Sequence, residues 1–335
     1  MELPTIIKGV CFFLQTSTGI LGNIIILMCY AHIAFNERKL MPIDNITSHL
    51  AFVNMIVLLT SGIPQTMTSF GLQNILNHHG CVFVIFVYAT VRALSVCVTC
   101  LLSLFQSVTI APSTCSWACL KIKIPQYLMP CSFILWVANM VMCCGLLFYT
   151  TVPQNGTVPK YTISTGYCYL KFPDEVVYKF YGALYTGRDA TIVCVMVMAS
   201  AYILLTLYRH NRQVKSIRSS SPSKKSTAEV KAAEIVICLV ILYVMFYGID
   251  NIIWIYMLIK TSASSEVEYL RAFFSSSYAS LSPFLIISFN KKIQKNLCIK
   301  TRRVEHSRIY LKVTSFLTDL RITWQLSTKS VALMH

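Results

Sequence analysis

Two side chains of opposite charge stand where charge is expensive. Arg92 lies in "VYATVRALSVCVTC" and Asp250 in "VMFYGIDNIIWIYM", each inside an apolar run. A charged group deep in hydrocarbon costs several kcal/mol or more, so it normally faces a bundle interior or cavity and takes a partner. The chemistry on offer is therefore electrostatic: an arginine–carboxylate bridge, or an anchor for a polar ligand. Catalytic patterns are missing. No nucleophile–base set, phosphate loop or paired carboxylates stand out, so an enzyme is not expected. His78 and His79 suggest metal or pH sensing. Adjacent histidines chelate poorly without further ligands, and a solvated loop is the expected reading. Cys143 and Cys144 lack metal-site spacing. No metal and no cofactor is expected.

The elements that must hold such a pair are long and apolar. Of 335 residues, 55% are hydrophobic and 13% charged, where a soluble domain carries about a quarter charged residues. The apolar residues form seven blocks: 10–33, 46–70, 81–105, 127–152, 190–208, 235–259 and 272–289. Each approaches the roughly 17–25 residues a helix needs to cross a bilayer. Helices are expected because lipid cannot satisfy open backbone groups. The fold class is thus an all-α membrane protein, a seven-transmembrane-helix bundle. Pro64, Pro130 and Pro283 fall inside blocks, where proline is tolerated as a packed kink. The seventh block is the weakest, because "SSSYASLS" is polar for lipid. The first lacks a basic start and a small-residue cleavage site, so it is read as a retained span.

Orientation follows the basic residues of the connections. One alternating set holds Arg38, Lys39, Lys121, Lys123, the basic run 209–231 and a strongly basic tail. The other holds only Lys8, Lys160, Lys171, Lys179, Lys260 and Arg271. The richer set is expected to be cytoplasmic, with residues 1–9 outside, the bundle over 10–289, and 290–335 a cytoplasmic basic tail. The net charge of +16 then reflects topology and inner-leaflet attraction, with no nucleic-acid partner expected. Asn155 in "NGT" is a glycosylation acceptor in the large outer loop. Cys81 and Cys168 are the clear outward pair among fourteen cysteines, and an oxidising exterior favours a disulfide over two free thiols. In the tail, "KKIQKNLCIK" suits a short helix on the membrane face or a disordered basic segment.

The motifs are more specific. "GN" at Gly22–Asn23 and "LAFVN" ending at Asn54 suit the first two helices of G-protein-coupled receptors. The usual acidic-Arg-Tyr motif after the third helix is replaced by "LFQSVTIAP", and the seventh-helix motif by "SPFLIISFN". Together with "LLTSGIPQTMTSFGLQNILNHHGC", "LLTLYRHNRQV" and "SPFLI", these closely resemble the type-1 vomeronasal (pheromone) receptors, over about residues 16–289. The resemblance implies small volatile or steroid-like pheromone or odorant ligands. It also implies an inhibitory-class heterotrimeric G protein and a multi-pass plasma-membrane protein of sensory neurons. It places the stretch "LLSLFQSVTIAPSTCSWACLKIKIP" at the G-protein face, where Gln106, Ser107, Ile110 and Pro112 join Arg209 and Arg212 as candidate contacts. A bitter-taste-type chemoreceptor is the nearer rival and a transporter the remoter one.

Within that frame Arg92 lies about 16 Å and Asp250 about 14 Å from the outer surface at 1.5 Å per residue. The third and sixth helices are neighbours in such receptors. The two residues are expected to pair, directly or through water, at the floor of the ligand cavity. The pair would touch ligand or lock the resting bundle; the absence of any pairing is the remaining alternative. Phe86, Tyr88, Phe246, Tyr247 and Trp254 are candidate cavity walls, although spacing alone does not fix helix rotation.

Overall fold

The computed structural model describes residues 3–37, 40–72, 74–111, 115–153, 160–216, 224–260 and 264–297. Among the described residues, seven helices are long and apolar enough to cross a membrane. In chain order they are Leu3–Glu37, a broken second helix, His78–Ile110, Cys115–Cys143, Glu175–Ser216, Lys224–Lys260 and Ser265–Phe289. The second consists of Pro42–Val57, a π-helical turn Leu58–Gly62 and Ile63–Ser69. The third helix is the hub, packed against the second, fourth, fifth and sixth, while the first lies along the second and seventh. Residues 291–297, in the separate C-terminal unit, are helical.

Local chemistry explains the irregularities. Pro64 has no N–H for the carbonyl of Thr60 four residues back. That carbonyl accepts from the Tyr167 hydroxyl at 3.4 Å. Burial pushes the Tyr167 hydroxyl well above its usual pKa, so it stays a protonated donor. Pro283 likewise frees the carbonyl of Ala279, and the amide of Asn23 donates to it at 3.0 Å. The "GN" pair thus has a physical role: Asn23 repairs the proline break, and Gly22 makes room for the ring, with Pro283 Cβ 2.9 Å from where a Cβ on Gly22 would lie. Asn77 caps the third helix, its side-chain oxygen accepting from the Gly80 N–H at 2.8 Å. His78 and His79 open that helix and are not loop residues.

Three departures from the apolar blocks are informative. The fifth helix starts at Glu175, fifteen residues before its block. Its first four turns are amphipathic and bury Tyr178 and Asp189, so hydropathy alone reads them as loop. The fourth helix starts at Cys115 and runs through Pro125 and Pro130, which turns half of the apparent linker after the third helix into helix. The segment before the fifth helix forms three short antiparallel strands: β1 (Thr150–Thr151), β2 (Thr162–Ser164) and β3 (Tyr169–Lys171), in the order β1-β3-β2.

Glycine sets the distance between the first and seventh helices. A Cβ on Gly19 would lie 2.8 Å from the Cα of Ser280, a backbone atom that cannot swing away. Gly19→Ala is expected to destabilise the bundle by about 1–3 kcal/mol, the usual cost of overpacking. Gly248→Ala meets nothing within 4 Å and should be neutral or stabilising, because mid-helix glycine carries excess backbone entropy in the unfolded chain. Thermal unfolding of the purified pair in detergent checks this. Equal midpoints for the two variants would contradict the packing argument.

Candidate functional site

The disulfide joins Cys81, on the first turn of the third helix, to Cys168 in the β2–β3 turn. It ties the hairpin across the mouth of the bundle. Cys81 and Cys168 are fully buried, with Ile85, Leu146, Ile163, Tyr167, Phe172, Tyr178 and Trp254 in one apolar cluster. Beneath this hairpin lies a cavity of about 160 Å³ whose lining comes from the hairpin and from the second to seventh helices.

Arg92 and Asp250 meet at its floor. Arg92 Nη2 donates to Asp250 Oδ2 in a direct ion pair. Neither group is alone there. Arg92 Nη1 is 3.9 Å from Asp189 Oδ2, and Arg271 Nε is 3.8 Å from Asp250 Oδ1. Arg188 grips Asp189 with Nε at 2.7 Å and Nη2 at 2.6 Å. Arg271 also stacks over the Trp254 ring at 4.3 Å, a cation–π contact. Charges from the third, fifth, sixth and seventh helices thus form one network. Both aspartate side chains are 6% exposed, whereas Arg92 is 25% and Arg271 26% exposed. The carboxylates are the sequestered partners, and the guanidiniums face the cavity.

The structure sorts the other expected residues. Tyr88, Tyr247 and Trp254 line the cavity. The Tyr88 hydroxyl lies 2.7 Å from Ser275 Oγ and links the third and seventh helices. Phe86 packs against the apolar cluster and does not line the cavity. Phe246 lines a smaller recess nearby, facing Phe274 at 6.2 Å. Helix rotation explains both corrections: Phe86 is two residues from Tyr88 and Phe246 is next to Tyr247, so each pair splits across helix faces. Gln106 and Ser107 are buried, 2% and 9% exposed. Ile110 is half-buried and Arg209 exposed. Asn155, Pro112 and the tail beyond residue 297 lie outside the described residues, as does the side chain of Arg212.

Sequence reasoning missed Arg188, Asp189 and Arg271 as network members. It also missed a tyrosine wall, Tyr178, Tyr181 and Tyr185, on the fifth helix. Their spacing of three and four was the available signal. A second network lies deeper. Asn54 donates to Ser282 Oγ at 2.9 Å and accepts from Ser95 Oγ at 2.6 Å, and Thr99 Oγ1 lies 2.8 Å from the Tyr278 hydroxyl.

Comparison with known proteins fits this architecture. The chain superposes on squid rhodopsin with a TM-score of 0.69, covering 91% of this chain and 88% of that one at 13% identity, a likeness of fold. It is 47% identical over 306 residues to olfactory receptor class A-like protein 1 of Danio rerio, covering 91% of this chain and 96% of that protein. It is 31% identical over 295 residues to the vomeronasal type-1 receptor 1 of Homo sapiens, covering 88% and 83%. The model of the vomeronasal organ pheromone receptor family matches residues 6–299. With seven spans, a receptor fold and a family match over nearly its whole length, the chain belongs to the vomeronasal organ pheromone receptor family and is a chemosensory G-protein-coupled receptor of the plasma membrane.

Proposed function

We propose that this receptor binds a compact volatile ligand beneath the β-hairpin and activates an inhibitory-class G protein in a sensory neuron. The observation that carries the ligand site is the charged floor joining four helices under a disulfide-tethered roof. A ligand acts by binding one arrangement of the bundle better than another. A site where four helices share charges converts such a preference into helix movement.

Size narrows the two ligand classes. An apolar cavity of roughly 150 Å³ holds a benzene molecule, and this one measures about 160 Å³. A single-ring volatile therefore fits the resting cavity, whereas a four-ring steroid requires it to widen. In this reading the disulfide end, the N-terminus and Asn155 face outside, and Asn155 carries a glycan. The other end meets the G protein through Ile110, Pro112, Arg209 and Arg212. Gln106 and Ser107 join only when the third, fifth and sixth helices part.

The test is guanine-nucleotide exchange by the receptor reconstituted with inhibitory, stimulatory and other Gα classes, screened against single-ring volatiles and steroids. Exchange on the inhibitory class with single-ring compounds is expected. Exchange confined to another class overturns the coupling. No exchange on any class, from receptor shown to reach the cell surface, overturns the receptor mechanism proposed here.

A further inference from the structure

Two buried polar atoms that face each other at the cavity floor make no hydrogen bond. They are Asp250 Oδ1 and Arg271 Nε, and they stand 3.8 Å apart, too far for a hydrogen bond. The other oxygen of Asp250 is taken by Arg92, and the Arg271 guanidinium is drawn toward the Trp254 ring. Buried donors and acceptors are normally satisfied, and an exception calls for an explanation. Here one unmet acceptor and one unmet donor sit side by side on residues that line the cavity.

We propose that the polar end of the ligand is a hydroxyl group, seated so that its oxygen accepts from Arg271 Nε while its hydrogen is donated to Asp250 Oδ1. This deepens the receptor reading above and rests on it. A hydroxyl is both donor and acceptor through a single atom. One oxygen at about 2.8 Å from each partner spans this gap with an angle near 90°. Entry requires the long Arg271 side chain to swing off Trp254, and that side chain is the exposed member of the pair. Other small polar groups fit less well. A ketone or ether accepts from Arg271 but presents a lone pair to Asp250. A carboxylate sets a second negative charge against Asp250, and an ammonium sets a positive one against Arg271. Sites built to hydrogen-bond a hydroxyl reject analogues that lack it far more strongly than apolar pockets reject a misfit.

The test uses full-length receptor in lipid nanodiscs and four single-ring probes: cyclohexanol, cyclohexanone, methoxycyclohexane and cyclohexanecarboxylate. Thermal stabilisation is titrated against each. Cyclohexanol is expected to reach half-maximal stabilisation at a concentration at least tenfold below the ketone or ether. The carboxylate is expected to be weakest. Arg271→Met keeps the aliphatic stem and removes the donor. It should weaken the alcohol, the ketone and the ether alike, each by at least about threefold, because each accepts from Nε, while the alcohol preference set by Asp250 Oδ1 persists. If that variant does not fold, Arg271→Lys, which has no Nε at that position, serves in its place. A ketone, ether or carboxylate equal to the alcohol overturns the hydroxyl assignment, as does alcohol binding that neither variant weakens or the absence of stabilisation by all four. The receptor reading is judged separately, by nucleotide exchange.

Discussion

Asp250→Ala is expected to destabilise the folded receptor by about 3–5 kcal/mol, the range for removing one partner of a buried ion pair. The carboxylate is 6% exposed, pairs directly with Arg92 and stands 3.8 Å from Arg271. Its removal leaves two guanidiniums at the cavity floor, Arg92 with Asp189 3.9 Å away and Arg271 with Glu268 in the same cavity wall. Because Arg92 is 25% exposed to the cavity, water softens the penalty toward the lower end of that range. Asp250→Asn keeps the shape and one acceptor and should lose about half as much. The reciprocal exchange, Arg92→Asp with Asp250→Arg, should recover only part of the loss. It places an aspartate beside Asp189 and an arginine beside Arg271. Thermal unfolding of purified receptor measures all three, with surface expression as a second readout. A loss under about 1 kcal/mol for Asp250→Ala would mean that the pair contributes little to stability.

The second large effect is expected at the disulfide. Cys81→Ser with Cys168→Ser should cost about 2–4 kcal/mol. Closing a loop of 87 residues restricts a free unfolded chain by more than that, but this loop includes the third and fourth helices, which the bilayer already holds. The functional loss should be larger than the stability loss suggests. The tether holds Ile163, Thr165, Tyr167 and Leu170 against the cavity, and without it the roof need not stay in place. Ligand-induced nucleotide exchange should therefore fall at least tenfold in receptor that still reaches the surface. An unchanged response at normal expression would show that the hairpin closes without its tether.

How much was readable in the sequence depended on the chemistry of each residue. Arg92 and Asp250 announced themselves, because a charge inside an apolar block has few places to go. Cys81 and Cys168 did so because the other cysteines lie mostly in spans or on the opposite side. Arg188 and Asp189 were hidden by the rule that ends a span where polarity begins. They sit on the helix face that turns inward, and an average over a window cannot see faces. Arg271 was read as a connecting charge for the same reason, although the seventh helix starts at Ser265. Phe86 and Phe246 show the converse limit. Aromatic type signalled burial correctly, but which of two neighbouring rings meets the cavity depends on rotation. The strands of the hairpin are two or three residues long, too short for any alternation to appear.

The neutral network around Asn54 has an electrical consequence. Moving one elementary charge through the full membrane field changes the energy by about 2.3 kcal/mol per 100 mV. Asn54, Ser95, Thr99, Tyr278 and Ser282 can exchange partners by rotating hydroxyls and an amide, and no net charge crosses the field when they do. A change in the cell's resting voltage therefore exerts almost no force on this network. The field acts instead on the charged floor of the cavity, where Arg92, Arg188, Asp189, Asp250 and Arg271 lie. Below that floor, the neutral network is insulated from the excitability of the cell that carries it.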